Sequence, residues 1–184
     1  MNATPVKCSV FIATSLDGFI ARPDGSLDWL DQANQVVPPG EDCGYQAFMS
    51  TIDALVMGRN TFEKVLSFGE WPYGTLPVIV LSHHPLTPAE SVPTTVTFSN
   101  ESPTELVARL GAQGMKHLYI DGGQTIQSFL AAQLIDELTI TVIPILIGTG
   151  KPLFGPLPQD VRLVHLATQA YEFGFVQHKY RVCR

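Results

Sequence analysis

Charged side chains are scarce: they make up 15% of the 184 residues, where an ordinary soluble domain carries roughly a quarter. Much of the chain is therefore suited to an interior or an interface. The charge that exists leans acidic, with a formal net charge of -6, and Lys and Arg form no cluster. That removes the electrostatic footprint of a nucleic-acid binder. No apolar run approaches the ~18 residues that cross a bilayer, so no membrane span is expected. Polar residues interrupt the N-terminal MNATPVKCSVFIATSLDGF before it attains the apolar core and cleavage site of a secretory signal. Cysteine is sparse too. Cys8, Cys43 and Cys183 are odd in number and far apart, unlike a disulfide framework or a thiolate metal site. Three reduced thiols, no metal and a cytoplasmic protein are expected.

Several motifs are missing. No G-x-G-x-x-G follows a first strand, which argues against the ordinary dinucleotide fold. Gly148-Thr149-Gly150-Lys151 resembles a fragment of a phosphate loop. However, Ile145 stands where its first glycine belongs and Pro152 where Ser or Thr belongs, so the segment reads as a turn between strands. The H-x-E and P-C-x-x-C pair of a zinc deaminase is absent as well.

What is present is an alternation of apolar runs and helical patterns. With 45% hydrophobic residues, the chain has material for a full core, and residues 1–184 read as one domain. Strands are expected at Val6–Ala13, Ala54–Met57, Val78–Leu81, Thr95–Phe98, His117–Ile120 and Leu138–Ile143. Val161–Ala167 and Gly174–Val182 follow as a hairpin through Glu172-Phe173-Gly174. Helices are expected at Asp42–Ser50, Thr61–Leu66, Ser102 to about Gly111, and Thr125–Ala132, with a loop over about 15–40 holding one helical turn near Trp29. Ser102-Pro103-Thr104-Glu105 has the composition of a capping box. The order predicts an α/β fold of three layers, α/β/α, with a mostly parallel sheet and an antiparallel C-terminal edge.

Two segments share one grammar. ALVMGRNTFEKV (54–65) and YIDGGQTIQSFL (119–130) each run from apolar strand through glycine into a helix start. A helix start offers unpaired N–H donors and the positive end of a dipole, and glycine admits close approach of a phosphate. Thr61 and Thr125 can add a hydroxyl, and Arg59 a forked pair of donors. Two such joins in one open sheet fit a ligand with more than one phosphate, lying across the carboxyl ends of the strands.

TSLDGFIARPDGSLDWL, IDALVMGRNTFEKV, VIVLS and YIDGGQTIQSFL, in this order and spacing, resemble the dihydrofolate-reductase-like superfamily. The branch they resemble is the reductase domain of bacterial riboflavin biosynthesis and its stand-alone relatives, as does LIDELTITVIPILIGTGKPLF. The resemblance covers about residues 6–182. It implies a central mostly parallel sheet, NADPH as hydride donor, a small-molecule substrate and a homodimer. It also implies a cis peptide between Gly122 and Gly123, a bond that costs about 3–4 kcal/mol without proline.

Site residues follow from the same resemblance. Ala13 and Ile20 match positions whose backbone meets the nicotinamide carboxamide, and Asp17-Gly18 lies on the loop covering it. Gly58, Arg59 and Thr61 match phosphate contacts, and Ser82 a contact to the adenosine 2′-phosphate. Gly122, Gly123, Gln124 and Thr125 match the pyrophosphate cradle, with Gln127 one turn on, near the nicotinamide. After Ser82 come His83 and His84, so a preference for NADPH over NADH rests on Arg59. Gly74-Thr75-Leu76-Pro77 holds no basic residue to pair with the carboxylate of folate, whose burial unpaired is costly. Asp42 and Asp17 are the candidate proton sources. Each has a plain alternative, as a helix-capping acid and a turn former. Trp29 and Tyr45 are candidates to stack on a planar substrate, or else core aromatics. The reading that results is an NADPH-dependent reductase of a small heterocycle or carbonyl, akin to 5-amino-6-(5-phosphoribosylamino)uracil or pteridine reductases. The alternatives are an NADP(H)-binding module without turnover and a dimeric scaffold.

Overall fold

The computed structural model describes residues 5–83 and 92–183. Its main sheet has eight strands in the order β5-β4-β3-β6-β1-β7-β10-β9. They are β1 (Lys7–Ser15), β3 (Ala54–Gly58), β4 (Val78–Leu81), β5 (Val96–Ser99), β6 (His117–Asp121), β7 (Glu137–Ile143), β9 (Leu163–Ala170) and β10 (Val176–Val182). The first six pair in parallel. β10 runs antiparallel to β7, and β9 antiparallel to β10, which gives the expected antiparallel edge. Continuous apolar runs such as Leu55-Val56-Met57 and Val78-Ile79-Val80 are buried on both faces, as parallel strands between two helix layers must be.

One face packs α4 (Pro103–Ala112) and α5 (Gly123–Ala131) against Val10, Val56, Leu118 and Ile120. The other packs α2 (Tyr45–Met49) and α3 (Arg59–Leu66) against Leu55, Met57, Val80 and Tyr119. α4 starts as its sequence predicts. The Ser102 side chain accepts from the Glu105 amide, the Glu105 side chain accepts from the Ser102 amide, and Pro103 follows the cap.

The structure departs from expectation in the long loop. Residues 28–34 form a full helix, α1 (Asp28–Asn34), because Trp29 buries its indole against Ile143 and Phe175. β2 (Phe19–Ala21) is a short strand paired with β8 (Lys151–Pro152). The Gly148–Lys151 segment is thus the turn entering β8. The helix expected over Asp42–Ser50 begins only at Tyr45, since Gly44 is left-handed at φ 81.

Candidate active site

The parallel neighbours β3 and β6 pair Met57 with Asp121, so their glycine exits lie side by side at the carboxyl edge. From there the chain diverges: β3 leads outward to β4, while β6 leads across β1 to β7. This is the switch point at which open α/β sheets form a crevice. The two exits interlock. A Cβ on Gly122 would collide with Thr61 Oγ1, and one on Gly58 would lie 3.0 Å from Thr125 Oγ1. Each threonine therefore occupies the space that the other join's glycine leaves. Neither cap, Gly58 nor Gly122, offers a side chain to the helix it begins, so the first amides of α3 and α5 remain donors for something else.

The Gly122–Gly123 peptide is trans, since no cis bond occurs among the described residues, which corrects the expected cis geometry. The turn from strand to helix is made instead by Gly122 at φ 88, ψ 136, a region essentially closed to residues with a Cβ. Over Gly123 lie Ile20 Cδ1 and the Pro152 carbonyl, 2.9 and 3.2 Å from where a Cβ would stand. The β2–β8 ribbon thereby covers the second join.

The structure brings some of the sequence-predicted residues together and disperses others. Gly58, Thr61, Gly122, Gly123, Gln124 and Thr125 gather at the paired joins. Ala13 lies near the carboxyl end of β1, pairing with Thr141 of β7. Arg59 begins α3, where its Nε donates to Glu63 at 2.6 Å. Ser82 follows β4, its amide donating to the Ser99 carbonyl. His83 is exposed, and His84 lies outside the described residues. The Gln127 amide nitrogen donates to the carbonyls of Pro152 and Leu153, each at 3.2 Å, so it tethers the segment beyond β8. Trp29 is 1% exposed and leaves no face for a substrate. Tyr45 is partly buried, edge-on to Phe11.

Both acids chosen from the sequence are engaged in local structure. Asp17 accepts from the Ser15 hydroxyl at 2.6 Å and from the Gly148 amide at 2.8 Å. These bonds, Ser15 foremost, hold its pKa below the ordinary value. Asp42 accepts from the Gly44 and Gln46 amides, each at 2.8 Å, and its pKa is lowered in the same way, by Gln46 first. Carboxylates so stabilised hold no proton near neutral pH. They pin the covering loop and the start of α2.

The acid with the opposite character is Asp121, the last residue of β6. It is enclosed, though not fully sealed from solvent. Burial pushes its pKa up to about 6, against a single lowering hydrogen bond from the Gly122 amide. That amide donates to Oδ1 at 2.8 Å. Tyr45, Tyr73 and Tyr119 all feel its charge, and burial together with that charge drives Tyr45 to about 12. The sequence carried a signal for it: an ionisable residue closing an apolar strand directly before the glycine pair.

A mostly parallel sheet with an antiparallel edge, and two glycine joins side by side at its switch point, describes a fold of the dihydrofolate-reductase-like kind. The model of the RibD C-terminal domain matches residues 7–176, and the chain belongs to that family. It is 42% identical to a structure from Shewanella sp. PV-4 provisionally named for riboflavin biosynthesis, with a TM-score of 0.91, covering 97% of this chain and 100% of that one. It is 38% identical over 161 residues to the uncharacterized Bacillus subtilis protein YwjB, covering 85% of this chain and 87% of the relative. The fold is shared with a bifunctional deaminase and 5-amino-6-(5-phosphoribosylamino)uracil reductase of Thermotoga maritima, at TM-score 0.69 and 16% identity. That match spans 97% of this chain and 57% of the bifunctional one. No helix among the described residues is long and apolar enough to cross a membrane.

Proposed function

We propose that this protein is an NADPH-dependent reductase that delivers hydride to a C=N or C=O bond of a small heterocyclic substrate. The observation that carries the reading is the pair of interlocked glycine joins with Asp121 at their root. The residues present fit a diphosphate-bridged coenzyme. A Cβ would collide with Thr61 at Gly122 and crowd Thr125 at Gly58, neither cap gives a side chain to the helix amides, and those amides are donors for phosphate oxygens. When bound, the nicotinamide coenzyme supplies the hydride. The amides of Gly123–Thr125 and of Arg59–Thr61 hold the phosphates. Arg59, its Nε fixed by Glu63, directs its remaining N–H groups to a 2′-phosphate. Asp121 retains a proton at its carboxyl group up to about pH 6, and Oδ2 carries no hydrogen bond to Gly122. It supplies that proton to the reduced nitrogen or oxygen, in place of Asp42 and Asp17, whose carboxylates are held by local hydrogen bonds.

The substrate class is that of the ribosylaminouracil or pteridine type, a planar ring beside the Tyr45 and Phe11 wall. Folate is disfavoured by the lack of a cation at residues 74–77. A homodimer belongs to the same proposal, supported by β9, an edge strand whose eight residues are all exposed.

The test is thermal melting with NADPH and with NADH, followed by NADPH oxidation across a panel of pyrimidines, pteridines and aldehydes. Ligand at a hundredfold excess over Kd should stabilise the fold by about 2.7 kcal/mol, and one panel member should be reduced. Stabilisation without any oxidation would leave a binding module. No stabilisation by either coenzyme would leave the scaffold reading.

A further inference from the structure

Tyr119 and Asp121 are two apart on β6, so their side chains leave the same face of the sheet. Met57, paired with Asp121 across to β3, packs on that face too, in the cluster that holds Tyr119, Tyr45 and Tyr73. Asp121 therefore stands at the carboxyl end of an aromatic face. Three phenols share that face, and they differ in one respect. The Tyr119 hydroxyl is satisfied inside the fold, donating to the Phe11 carbonyl at 2.8 Å. The hydroxyls of Tyr45 and Tyr73, both partly buried, have no hydrogen-bond partner among the described residues.

The two unbonded phenols are held by other rings, from opposite sides of the acid. β6 lies between β1 and β3. Tyr45, on α2, packs edge-on to Phe11 of β1 at 5.6 Å. Tyr73, in the connection from α3 to β4, packs edge-on to Trp71 at 5.2 Å, and Trp71 edge-on to Phe62 of α3 at 6.1 Å. Burial first and the charge of Asp121 second push the Tyr45 hydroxyl up to about 12 and raise that of Tyr73 as well. Both hydroxyls therefore keep their protons and act as donors. A buried tyrosine ordinarily finds a partner for its hydroxyl. Two that lack one, astride an acid whose Oδ2 takes no bond from Gly122, leave three polar atoms for a ligand. Among the described residues no Lys or Arg pairs with Asp121, so an anionic ring edge would be repelled there.

We infer that Tyr45 and Tyr73 set the substrate specificity of this site. Their hydroxyls donate to acceptors on the edge of an uncharged, planar heterocycle whose reacting atom faces Asp121. The inference deepens the reductase reading, and rests on it for calling that heterocycle a substrate.

Pteridine-2,4-dione and quinazoline-2,4-dione share one bicyclic shape, but only the pteridine carries acceptor nitrogens in its second ring. Calorimetry measures Kd for both, and for NADP+, on intact wild type, Tyr45→Phe, Tyr73→Phe and the double variant. Tyr180→Phe, which packs with the cluster on the opposite face of the sheet, is the control. Loss of a hydroxyl that bonds nothing inside the fold should leave the melting curves unchanged. Wild type and Tyr180→Phe should bind the pteridine about tenfold more tightly than the quinazoline. Each single variant should lose part of that preference and the double variant all of it, with NADP+ affinity held throughout. A loss shared equally by the quinazoline places the contacts on the carbonyl oxygens and keeps the assignment. Tyrosine-dependent pteridine binding in a protein that binds no nicotinamide coenzyme keeps the assignment and sinks the reductase reading. Pteridine affinity that is equal in wild type and double variant, or absent from both, overturns the assignment, while coenzyme binding in the same proteins leaves the reductase reading standing.

Discussion

Among the described residues, three helices leave the carboxyl edge of this sheet, and they begin in two different ways. α4 starts behind a complete capping box, its end amides satisfied by Ser102 and Glu105. α3 and α5 start behind Gly58 and Gly122, with no side-chain hydrogen bond at either cap. The strands before them are alike, parallel and apolar. Local stability alone would favour a cap at all three, by about 1 kcal/mol each. The difference teaches that the two central joins are built to satisfy their amides from outside, while the join at the edge strand is closed on itself. The glycines do more than vacate space, because each is filled by the threonine of its neighbour. The two joins therefore form one unit.

The largest expected break in that unit comes from Gly122→Ala. The new methyl collides with Thr61, and the backbone at φ 88 admits no side chain without strain. A loss of about 3 kcal/mol in urea unfolding is expected, together with loss of coenzyme binding. Gly58→Ala, on extended backbone at φ -83, should cost distinctly less. Asp121→Asn should leave coenzyme affinity intact and reduce turnover by about a hundredfold or more.

The same variant sharpens the account through pH. The folded pKa of Asp121, about 6, lies above its ordinary 3.8. The folded state therefore binds more protons between these values, and the contribution to stability is complete below the lower one and lost as pH rises through the upper. Wild type should lose on the order of 2–3 kcal/mol across that window relative to Asp121→Asn. Parallel pH profiles of unfolding for the two proteins check it. Next in size, Arg59→Ala should weaken NADPH about tenfold and NADH little, and equal losses would mean Arg59 does not read the 2′-phosphate. The smallest effect belongs to the capped join: Ser102→Ala should cost about 1 kcal/mol of stability and leave NADPH affinity unchanged.

The sequence made the sheet and the joins legible because both rest on local chemistry. Apolar runs of strand length, glycine at strand ends and the Ser102–Glu105 box each state their structure within a few residues. The legible part ended where contacts over long separations decide. Trp29 was open between stacking and core until Ile143 and Phe175 were seen to enclose it. β2 exists because β8, far along the chain, pairs with it. Asp17 stood between proton source and turn former because, beside the nearby Ser15, the amides that bond it belong to Ile147 and Gly148, remote in sequence. Asp121 was passed over for the complementary reason: its proton affinity comes from burial, a property of the assembled crevice. The cis bond was inferred where a positive φ at Gly122 already turns the chain.

The most direct test is an amide NMR titration of the protein with NADPH, following each backbone N–H by residue. The account predicts the largest shifts at Arg59–Thr61 and Gly123–Thr125, saturating together, with the amides of Pro103's neighbours Thr104–Leu106 unmoved. Saturation with the capped start of α4 shifting and the two glycine joins silent would contradict it.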